Sequence, residues 1–249
     1  MPDNKKKNTK LRALFSALLF SIVLMIFPVT SGMIVAIRDL NPLKTYWIQG
    51  IFMMLSITVP ALFMLITNMR LSQIGFTGIK KGSFKTILYF VPLMAAKAGF
   101  LFEGINNDVP VILALIFFTV TIGLSEEIYF RRIILHKLIS CFSLKQTVII
   151  SAAFFAVIHA SQAFSGIGTV MTALTIINAF LFGIIASEIV LLTKSIVLVI
   201  IWHTIYDFVN WISLVNGITE VIIILVQTLI MIIYAVYLWS KLSDRKSTI

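Results

Sequence analysis

Apolar residues occur in eight long runs that are separated by short, more polar connections. Runs of this length with almost no charge are typical of helices that cross a membrane, because about 20 helical residues span the hydrocarbon core. The sequence therefore predicts an all-α protein, a polytopic transmembrane helical bundle of about eight spans. The first run follows Arg12 and lasts to about Ile37, and the others are 47–69, 86–101, 109–124, 147–164, 170–192, 196–214 and 221–239.

The fourth run is followed at once by a cluster of acidic and basic residues. Residues 125–138 contain neither Gly nor Pro, the residues that most often end a helix. We therefore expect the fourth helix to continue through the cluster to about Leu138. Between the second and third runs, residues 75–81 are predicted to form a glycine-bearing connection with a basic end.

The composition supports a membrane protein without a separate soluble domain. Hydrophobic residues make up 59% of the 249 residues and charged residues 12%, whereas a soluble domain is nearer to half apolar and a quarter charged. Eight spans use almost the whole length, so we predict one membrane domain over 1–249, with a basic N-terminus at 1–12 and a core at 109–214 that bears the motifs described below. Cys141 is the sole cysteine, which excludes an intramolecular disulfide and zinc sites of the CxxC type.

The net charge of +10 is explained by topology. Most of the 20 Lys and Arg residues fall on connections that lie on one side of the membrane if the N-terminus is cytoplasmic, as the positive-inside rule requires. This distribution predicts a multi-pass protein of the cell membrane with cytoplasmic N- and C-termini, whose first run is an uncleaved anchor. No basic face interleaved with aromatic residues is present, so nucleic acid is not an expected partner.

Three charged or polar clusters interrupt the later runs and suggest a functional site. They centre on Glu126, on His159 and on His203; ionisable residues inside spans are costly and usually functional. At about 1.5 Å per residue, these three positions lie roughly 16, 21 and 14 Å from the nearest basic residues of the predicted cytoplasmic connections. The three clusters are therefore predicted to meet near the middle of the membrane.

Helical spacing predicts how the side chains are directed. Glu127 and Arg131 are four residues apart and are suited to an ion pair, which leaves Glu126, about 100° round the helix, free for chemistry. His203 and Asp207 are also four residues apart, so one helix presents an imidazole and a carboxyl together. Phe155 shares a helix face with His159 in the same way, and we expect Phe155 to pack.

These groups suit hydrolysis of a peptide bond. A free carboxylate beside an imidazole in a pocket of low dielectric constant can hold and deprotonate a water molecule. A second imidazole with a neighbouring carboxyl can donate hydrogen bonds to the developing oxyanion. Ser125 and Cys141 are weaker candidates for a nucleophile, because neither has a base at a supporting spacing.

The ordered motifs resemble those of a known family. Glu126-Glu127-x-x-x-Arg131, Phe155-x-x-x-His159 and His203-x-x-x-Asp207 are similar to the three motifs of the CPBP (CAAX protease and bacteriocin-processing, or Abi) family of intramembrane proteases. The resemblance covers about 126–207. It implies a membrane protease of the kind that cleaves prenylated C-termini in eukaryotes and, in bacteria, acts on peptides or is linked to bacteriocin immunity.

The resemblance also implies roles for the motif residues. Glu126 and His159 would activate water, His203 and Asp207 would form the oxyanion side, and Glu127 with Arg131 would brace the site. Two residues depart from the family pattern. Arg132 stands where many members have glycine, and Asp207 stands where asparagine is common, so Asp207 must be protonated to donate a hydrogen bond.

Metal dependence is left open by the motifs. The family has been described both as metalloproteases and as metal-free glutamate proteases. Zinc on Glu126, His159 and His203 is possible because three ligands and one water are a normal catalytic set. No HExxH motif is present, and we favour a site without a cofactor. The expected partners are a membrane-associated peptide or protein substrate and the lipid bilayer.

Two functions of other classes compete with proteolysis. A non-catalytic immunity or scaffold protein of the same fold would keep its function after Glu126→Ala. A proton-coupled transporter would use the intramembrane Glu and His residues as a relay, although no internal repeat is visible. Outside the motifs, His136 is expected at the membrane interface, whereas the sequence assigns no role to Lys97 and Glu188.

Overall fold

The chain folds as a bundle of helices, as predicted. The structure is a computed structural model, and it describes residues 2–68, 88–165 and 168–244. Within this part, six helical stretches are long and apolar enough to cross a membrane, and two shorter apolar helices, Leu88–Leu101 and Val197–Ile212, complete a set of eight. The protein is thus an all-α, multi-pass membrane protein.

The helices follow the predicted runs closely. In chain order they are α1 (Pro2–Arg38), α2 (Pro42–Ser56), α3 (Thr58–Ile66), α4 (Val91–Ala98), α5 (Val109–Glu127), α6 (Leu135–Ile139), α7 (Leu144–His159), α8 (Thr169–Thr193), α9 (Val197–Ile212) and α10 (Gly217–Asp244). Short 3₁₀ turns flank α4 at Leu88–Phe90 and Gly99–Leu101, and another, Ala160–Ser165, follows α7. A π-helical segment, Ile128–Ile134, joins α5 to α6.

The predicted continuation of the fourth helix is confirmed, because one helical stretch runs from Val109 to Ile139. The second run differs from the prediction in one detail, since it is divided into α2 and α3 at Ile57. Pro60 explains the break: it has no N–H to donate to the carbonyl of Ser56 four residues earlier. Predictions for residues 75–81, and for the basic residues at 70, 80, 81, 85, 245 and 246 that entered the topology argument, lie outside the described residues.

Side-chain caps begin several helices at the polar connections. Asn41 accepts a hydrogen bond from the backbone N–H of Lys44 (3.0 Å) at the start of α2. Ser143 and Gln146 form a capping box at the start of α7, in which the Gln146 side chain accepts from the Ser143 N–H (3.2 Å). Each cap satisfies backbone donors that a helix start leaves unpaired. Polar residues between the apolar runs therefore determine where these helices begin, which hydrophobicity alone does not specify.

The centre of the bundle is α5, which packs between α2 and α9, while α7 packs on α8 and α8 on α10. A short extended link ties the start of α5 to the end of α9: Asn106 N–H donates to the Ile212 carbonyl (2.8 Å), and Leu214 N–H donates to the Gly104 carbonyl (3.1 Å). This link holds together the two helices that carry Glu126 and His203.

Candidate active site

The charged cluster at the end of α5 is buried, and the helix there widens into a π segment. All seven residues of the π segment Ile128–Ile134 are buried, Arg131 and Arg132 included. A π segment bonds residue i to i+5, and such segments occur frequently at functional sites. Here the segment places two adjacent arginine side chains inside the bundle, in the turns that follow the Glu126-Glu127 pair.

Glu127 forms the brace that its spacing predicts, and a second contact that the spacing does not reveal. Its side chain is fully buried, and Oε2 lies 3.2 Å from Nε of Arg131. Its other oxygen, Oε1, lies 2.8 Å from Nδ1 of His203 on α9. Because an ionised carboxylate only accepts hydrogen bonds, Nδ1 of His203 is the donor, and Nε2 of His203 therefore points into the site.

Aromatic rings surround the Glu127 pair. The guanidinium carbon of Arg131 lies 4.6 Å from the centre of the Phe155 ring, a cation–π distance. The His203 ring packs on Phe182, with ring centres 4.5 Å apart. Phe155 is thus a packing residue, as predicted, while Phe182 is a neighbour that the sequence motifs did not identify.

Glu126 is the carboxylate left free. Its side chain is 13% exposed, and Oε2 lies 3.9 Å from Nε2 of His203. This distance is too long for a direct hydrogen bond and is short enough for both atoms to contact one intervening molecule. Glu126 also lacks any hydrogen-bond partner for Oε2 within the described residues.

His203 and Asp207 meet on one face of α9, as their spacing predicts. Oδ2 of Asp207 lies 3.4 Å from Nε2 of His203, and the Asp207 side chain is 20% exposed. Nε2 of His203 therefore faces two carboxyl groups, those of Glu126 and Asp207. With Glu127 at Nδ1, three carboxyl groups lie beside the His203 ring, two from α5 and one from α9.

His159 approaches the cluster from α7. Its Nδ1 donates to the Phe155 carbonyl (2.8 Å), since a carbonyl oxygen can only accept, and Nε2 is then the acceptor nitrogen of the neutral ring. The ring is half-buried, lies 4.7 Å from the Phe155 ring, and is within electrostatic range of His203 and Asp207. Among the described residues, the imidazole that lies within 4 Å of the Glu126 carboxylate is that of His203.

A hydroxyl network supports the site from α2. The Ser56 carbonyl, freed by Pro60, accepts a hydrogen bond from the Tyr129 hydroxyl (3.0 Å), and the hydroxyls of Ser56 and Ser125 also bond to each other. Ser56 and Tyr129 were not predicted as part of the site, and Ser125 was considered only as a weaker candidate for a nucleophile. The signal was Pro60 itself, because a proline within a span leaves a carbonyl that another side chain must satisfy.

The residues proposed as zinc ligands do not form a ligand set in this arrangement. Across residues 2–68, 88–165 and 168–244, no three His, Cys, Asp or Glu side chains are placed to hold one metal ion together. Glu126, His159 and His203 therefore do not fit zinc as they stand here. Cys141 lies elsewhere, beside Ser140 and the Thr9 carbonyl.

The remaining ionisable residues of the spans take different positions. His136 is exposed, and its position at the membrane interface stays a prediction. Arg132 is 6% exposed, and its Nε and one terminal nitrogen have no hydrogen-bond partner. Lys97 and Glu188 are both buried, Lys97 beside α9 and Glu188 within α8.

Comparison with known proteins adds an independent line of evidence. Residues 108–209 match the family model described as "Type II CAAX prenyl endopeptidase Rce1-like". A comparison with curated proteins gives no match. The matched segment contains all three motifs and ends two residues after Asp207. The resemblance inferred from the motifs is thereby confirmed: the motif-bearing segment of this chain is similar to the Rce1-like type II CAAX prenyl endopeptidase family, which is consistent with a CPBP-type membrane protease.

Proposed function

We propose that this protein is an intramembrane endopeptidase that hydrolyses a peptide bond in a membrane-associated peptide or protein. The observation that carries the proposal is the placement of Glu126, whose free carboxylate faces Nε2 of His203 across 3.9 Å. The other nitrogen of His203 is held by Glu127. The Glu126 carboxylate is suited to accepting a proton from a water molecule, and Nε2 of His203 is suited to donating a hydrogen bond to a carbonyl oxygen.

In the proposed reaction, Glu126 takes a proton from water, and the hydroxide attacks the carbonyl carbon of the substrate. The resulting oxyanion is stabilised by His203, which in its doubly protonated form donates through Nε2 while Nδ1 donates to Glu127. The proton held by Glu126 then passes to the leaving nitrogen as the C–N bond breaks. Water is thus divided between the two products, and no covalent enzyme intermediate forms.

His159 and Asp207 act beside this pair. The acceptor nitrogen of His159 is suited to holding the second hydrogen of the water, which fixes the direction of attack. Asp207 contributes a hydrogen bond to the oxyanion when it is protonated, and when ionised it instead orients His203. Glu127 and Arg131 are positioning residues, since they act through His203 and through helix packing.

The family match and the position of the site within the predicted spans support a proposal for the substrate class. A catalytic pair within the spans can reach only a segment that is embedded in, or tethered to, the bilayer. The family description names prenyl endopeptidases of the CAAX type, and we propose a lipid-associated C-terminal peptide as the substrate. The proposed reaction uses no zinc, because Glu126, His159 and His203 do not converge on a common metal position.

Proteolysis of a membrane-tethered peptide library by the purified protein tests the proposal. We expect Glu126→Gln and His159→Ala to lower kcat by about 10²- to 10⁴-fold, the range for loss of a general base. Glu188→Gln is the matched control, because it changes a buried carboxyl outside the site, and it should retain activity. Activity should persist with a chelator.

Three outcomes would redirect the proposal. Loss of activity with a chelator and recovery with zinc would make Glu126, His159 and His203 metal ligands. Absence of cleavage in every sample, together with biological activity in Glu126→Ala, would favour a non-catalytic immunity or scaffold protein. Flux across liposomes that depends on pH and on Glu126 would favour a proton-coupled transporter.

A further inference from the structure

Arg132 is a buried cation that the proposed reaction does not use. It lies in the π segment and is 6% exposed, and its Nε and one terminal nitrogen have no hydrogen-bond partner among the described residues. The reaction gives roles to its neighbours Glu126, Glu127 and Arg131, and none to Arg132. A buried charge in a membrane protein is costly and usually functional.

No acidic side chain of the described structure neutralises Arg132. Glu127 is already held between Arg131 and His203, and none of the ion pairs among the described residues includes Arg132. Residues 69–87, which lie outside the described part, contain neither Asp nor Glu. An anion from outside the chain can therefore take the place of the missing partner.

Two more side chains that can carry positive charge follow Arg132 on the same helical stretch. His136 comes one turn later and is exposed, and Lys137 is next to it. Arg132 and Lys137 both act electrostatically on His136, so both lie within electrostatic range of its ring. Because His136 is exposed, the helix is open to the surface one turn beyond the buried guanidinium. We call Arg132, His136 and Lys137 the basic cluster.

The basic cluster lies near the end of a helical stretch that is long and apolar enough to cross a membrane. That stretch ends at Ile139, so Arg132 is about 10 Å from its end. The headgroup layer is about 5–8 Å thick on each side of the hydrocarbon core, and a long arginine side chain can extend its charged group towards that layer. The phosphate groups of lipids lie at this level.

The guanidinium group of Arg132 is suited to binding a phosphate. Its planar fork can donate to two phosphate oxygens at once. Basic pockets between transmembrane helices bind the headgroups of acidic lipids. A headgroup with a net negative charge suits the basic cluster better than a zwitterionic headgroup, whose ammonium group the cluster repels.

We propose that the basic cluster binds the phosphate group of an anionic membrane lipid. This lipid site is separate from the catalytic pair and goes beyond the proposed function. A bound phosphate also supports the π segment, because Arg132 directly follows Arg131, the partner of Glu127. We therefore expect an anionic lipid to raise the rate of proteolysis, and this expectation alone rests on the proposed function.

Binding of phosphatidylglycerol to the purified protein in neutral detergent micelles tests the lipid site. Titration followed by native mass spectrometry should show about 10- to 100-fold tighter binding to the wild-type protein than to Arg132→Met, the effect of one charged hydrogen-bonded pair. Arg132→Lys should keep part of this difference, since it keeps the charge and loses the fork. Lys145→Met is the matched control, because it removes an exposed charge at the start of α7, and it should bind as the wild-type protein does.

Thermal unfolding separates a lipid site from a purely structural arginine. Without anionic lipid, Arg132→Met should have a Tm at least as high as that of the wild-type protein, because a buried charge without a partner is removed. Phosphatidylglycerol should raise the Tm of the wild-type protein and not that of Arg132→Met. Equal binding of phosphatidylglycerol by both proteins, or an equal rise in their Tm, would overturn the lipid site.

Two further probes identify the source of the phosphate. Phosphatidylcholine has the phosphate and also an ammonium group, so it should raise the Tm of the wild-type protein less than phosphatidylglycerol does. Inorganic phosphate at the same concentration should have little effect. An equal effect of inorganic phosphate would overturn the lipid as the ligand in favour of a soluble anion, and an equal effect of phosphatidylcholine would overturn the preference for a net negative headgroup.

Proteolysis in lipid nanodiscs distinguishes failure of the lipid site from failure of the proposed function. The rate for the wild-type protein should rise as phosphatidylglycerol replaces phosphatidylcholine, and the rate for Arg132→Met should not. If Glu126-dependent cleavage is absent but the binding difference is present, the proposed function fails and the lipid site stands. If cleavage is present and responds equally to phosphatidylglycerol in both proteins, activation through Arg132 is wrong while proteolysis stands.

Discussion

Glu127 and Glu188 are two fully buried carboxyl groups of the same protein with opposite surroundings. Glu127 has Arg131 at 3.2 Å and His203 at 2.8 Å. Glu188, on α8, has no hydrogen-bond partner for either side-chain oxygen within the described residues. Both residues lie in helical stretches that are long and apolar enough to span a membrane, so burial of an acidic residue does not by itself mark the site.

The difference lies in what each carboxyl group holds in place. Glu127 orients an imidazole and neutralises a guanidinium, and a buried pair of this kind is costly to break from one side, because the other charge is left unpaired. Glu188 orients nothing, and replacing it removes a desolvation cost rather than an interaction. Stability measurements on the two residues should therefore give opposite results.

The largest effect is expected at Glu127. Glu127→Ala leaves Arg131 and His203 without their partner, and we expect a loss of about 3–5 kcal/mol in the free energy of unfolding, measured by denaturant titration in detergent micelles. Adding Arg131→Met should recover part of the loss, since the unpaired charge is then removed. An equally large loss in Glu188→Ala would erase the contrast between the two residues.

A smaller effect is expected where α5 meets α9 beside this pair. A Cβ at Gly123 would lie 2.7 Å from Oγ1 of Thr204 and 3.1 Å from its backbone nitrogen, so Gly123→Ala must push α9, and His203 with it, away from Glu127. We expect a loss of about 1–3 kcal/mol and a clear loss of proteolysis.

Gly32→Ala is the control for this substitution, because a Cβ there meets nothing within 4 Å. Alanine favours the helix by about 1 kcal/mol over glycine, so this variant should be unchanged or slightly more stable. Similar losses at Gly123 and Gly32 would show that close approach of α5 and α9 does not matter.

Arg131→Lys sharpens the comparison by keeping the charge beside Glu127 while changing its shape. Lysine lacks the planar fork and stacks less well on Phe155, and we expect a loss of about 1–2 kcal/mol from the weakened contact with that ring. Arg38→Lys, at the exposed end of α1, is the control and should have no measurable effect. No change in Arg131→Lys would mean that charge alone supports the site.

The smallest effect is expected at Glu188. Glu188→Gln should change the free energy of unfolding by less than about 0.5 kcal/mol or raise it, and Glu188→Leu should raise it further, since an apolar side chain needs no partner there. Proteolysis should be retained in both variants. A loss of stability above about 2 kcal/mol in Glu188→Gln would show that Glu188, like Glu127, makes a stabilising interaction.

The fold was predictable because hydrophobicity reports directly on burial in lipid and protein. The eight apolar runs correspond to the eight helical stretches, and the absence of Gly and Pro after Leu124 correctly predicted the long fourth helix. The break at Ile57 was missed because one proline within a run is compatible with either a kink or a break. The described structure shows the break and the Tyr129 hydroxyl that accompanies it.

The site was predictable within helices and much less so between them. Spacing identified the Glu127–Arg131 and His203–Asp207 neighbours, because residues four apart share a helix face. It could not reveal the hydrogen bond from His203 to Glu127, which depends on how α9 is rotated against α5 and on the π segment that follows Glu127. The structure places His203 opposite Glu126. The expected joint activation of water by Glu126 and His159 stays a prediction.

The two shorter helices, Leu88–Leu101 and Val197–Ile212, meet through Lys97 and Asn210. The second has 16 residues and is about 24 Å long, less than the roughly 30 Å of a typical hydrocarbon core. Thinning of the bilayer around these two short helices can accommodate such a mismatch. It would also bring bulk water closer to Glu126. Every cleavage consumes one water molecule, so we expect the rate of proteolysis to fall as the acyl chains of the surrounding lipids lengthen.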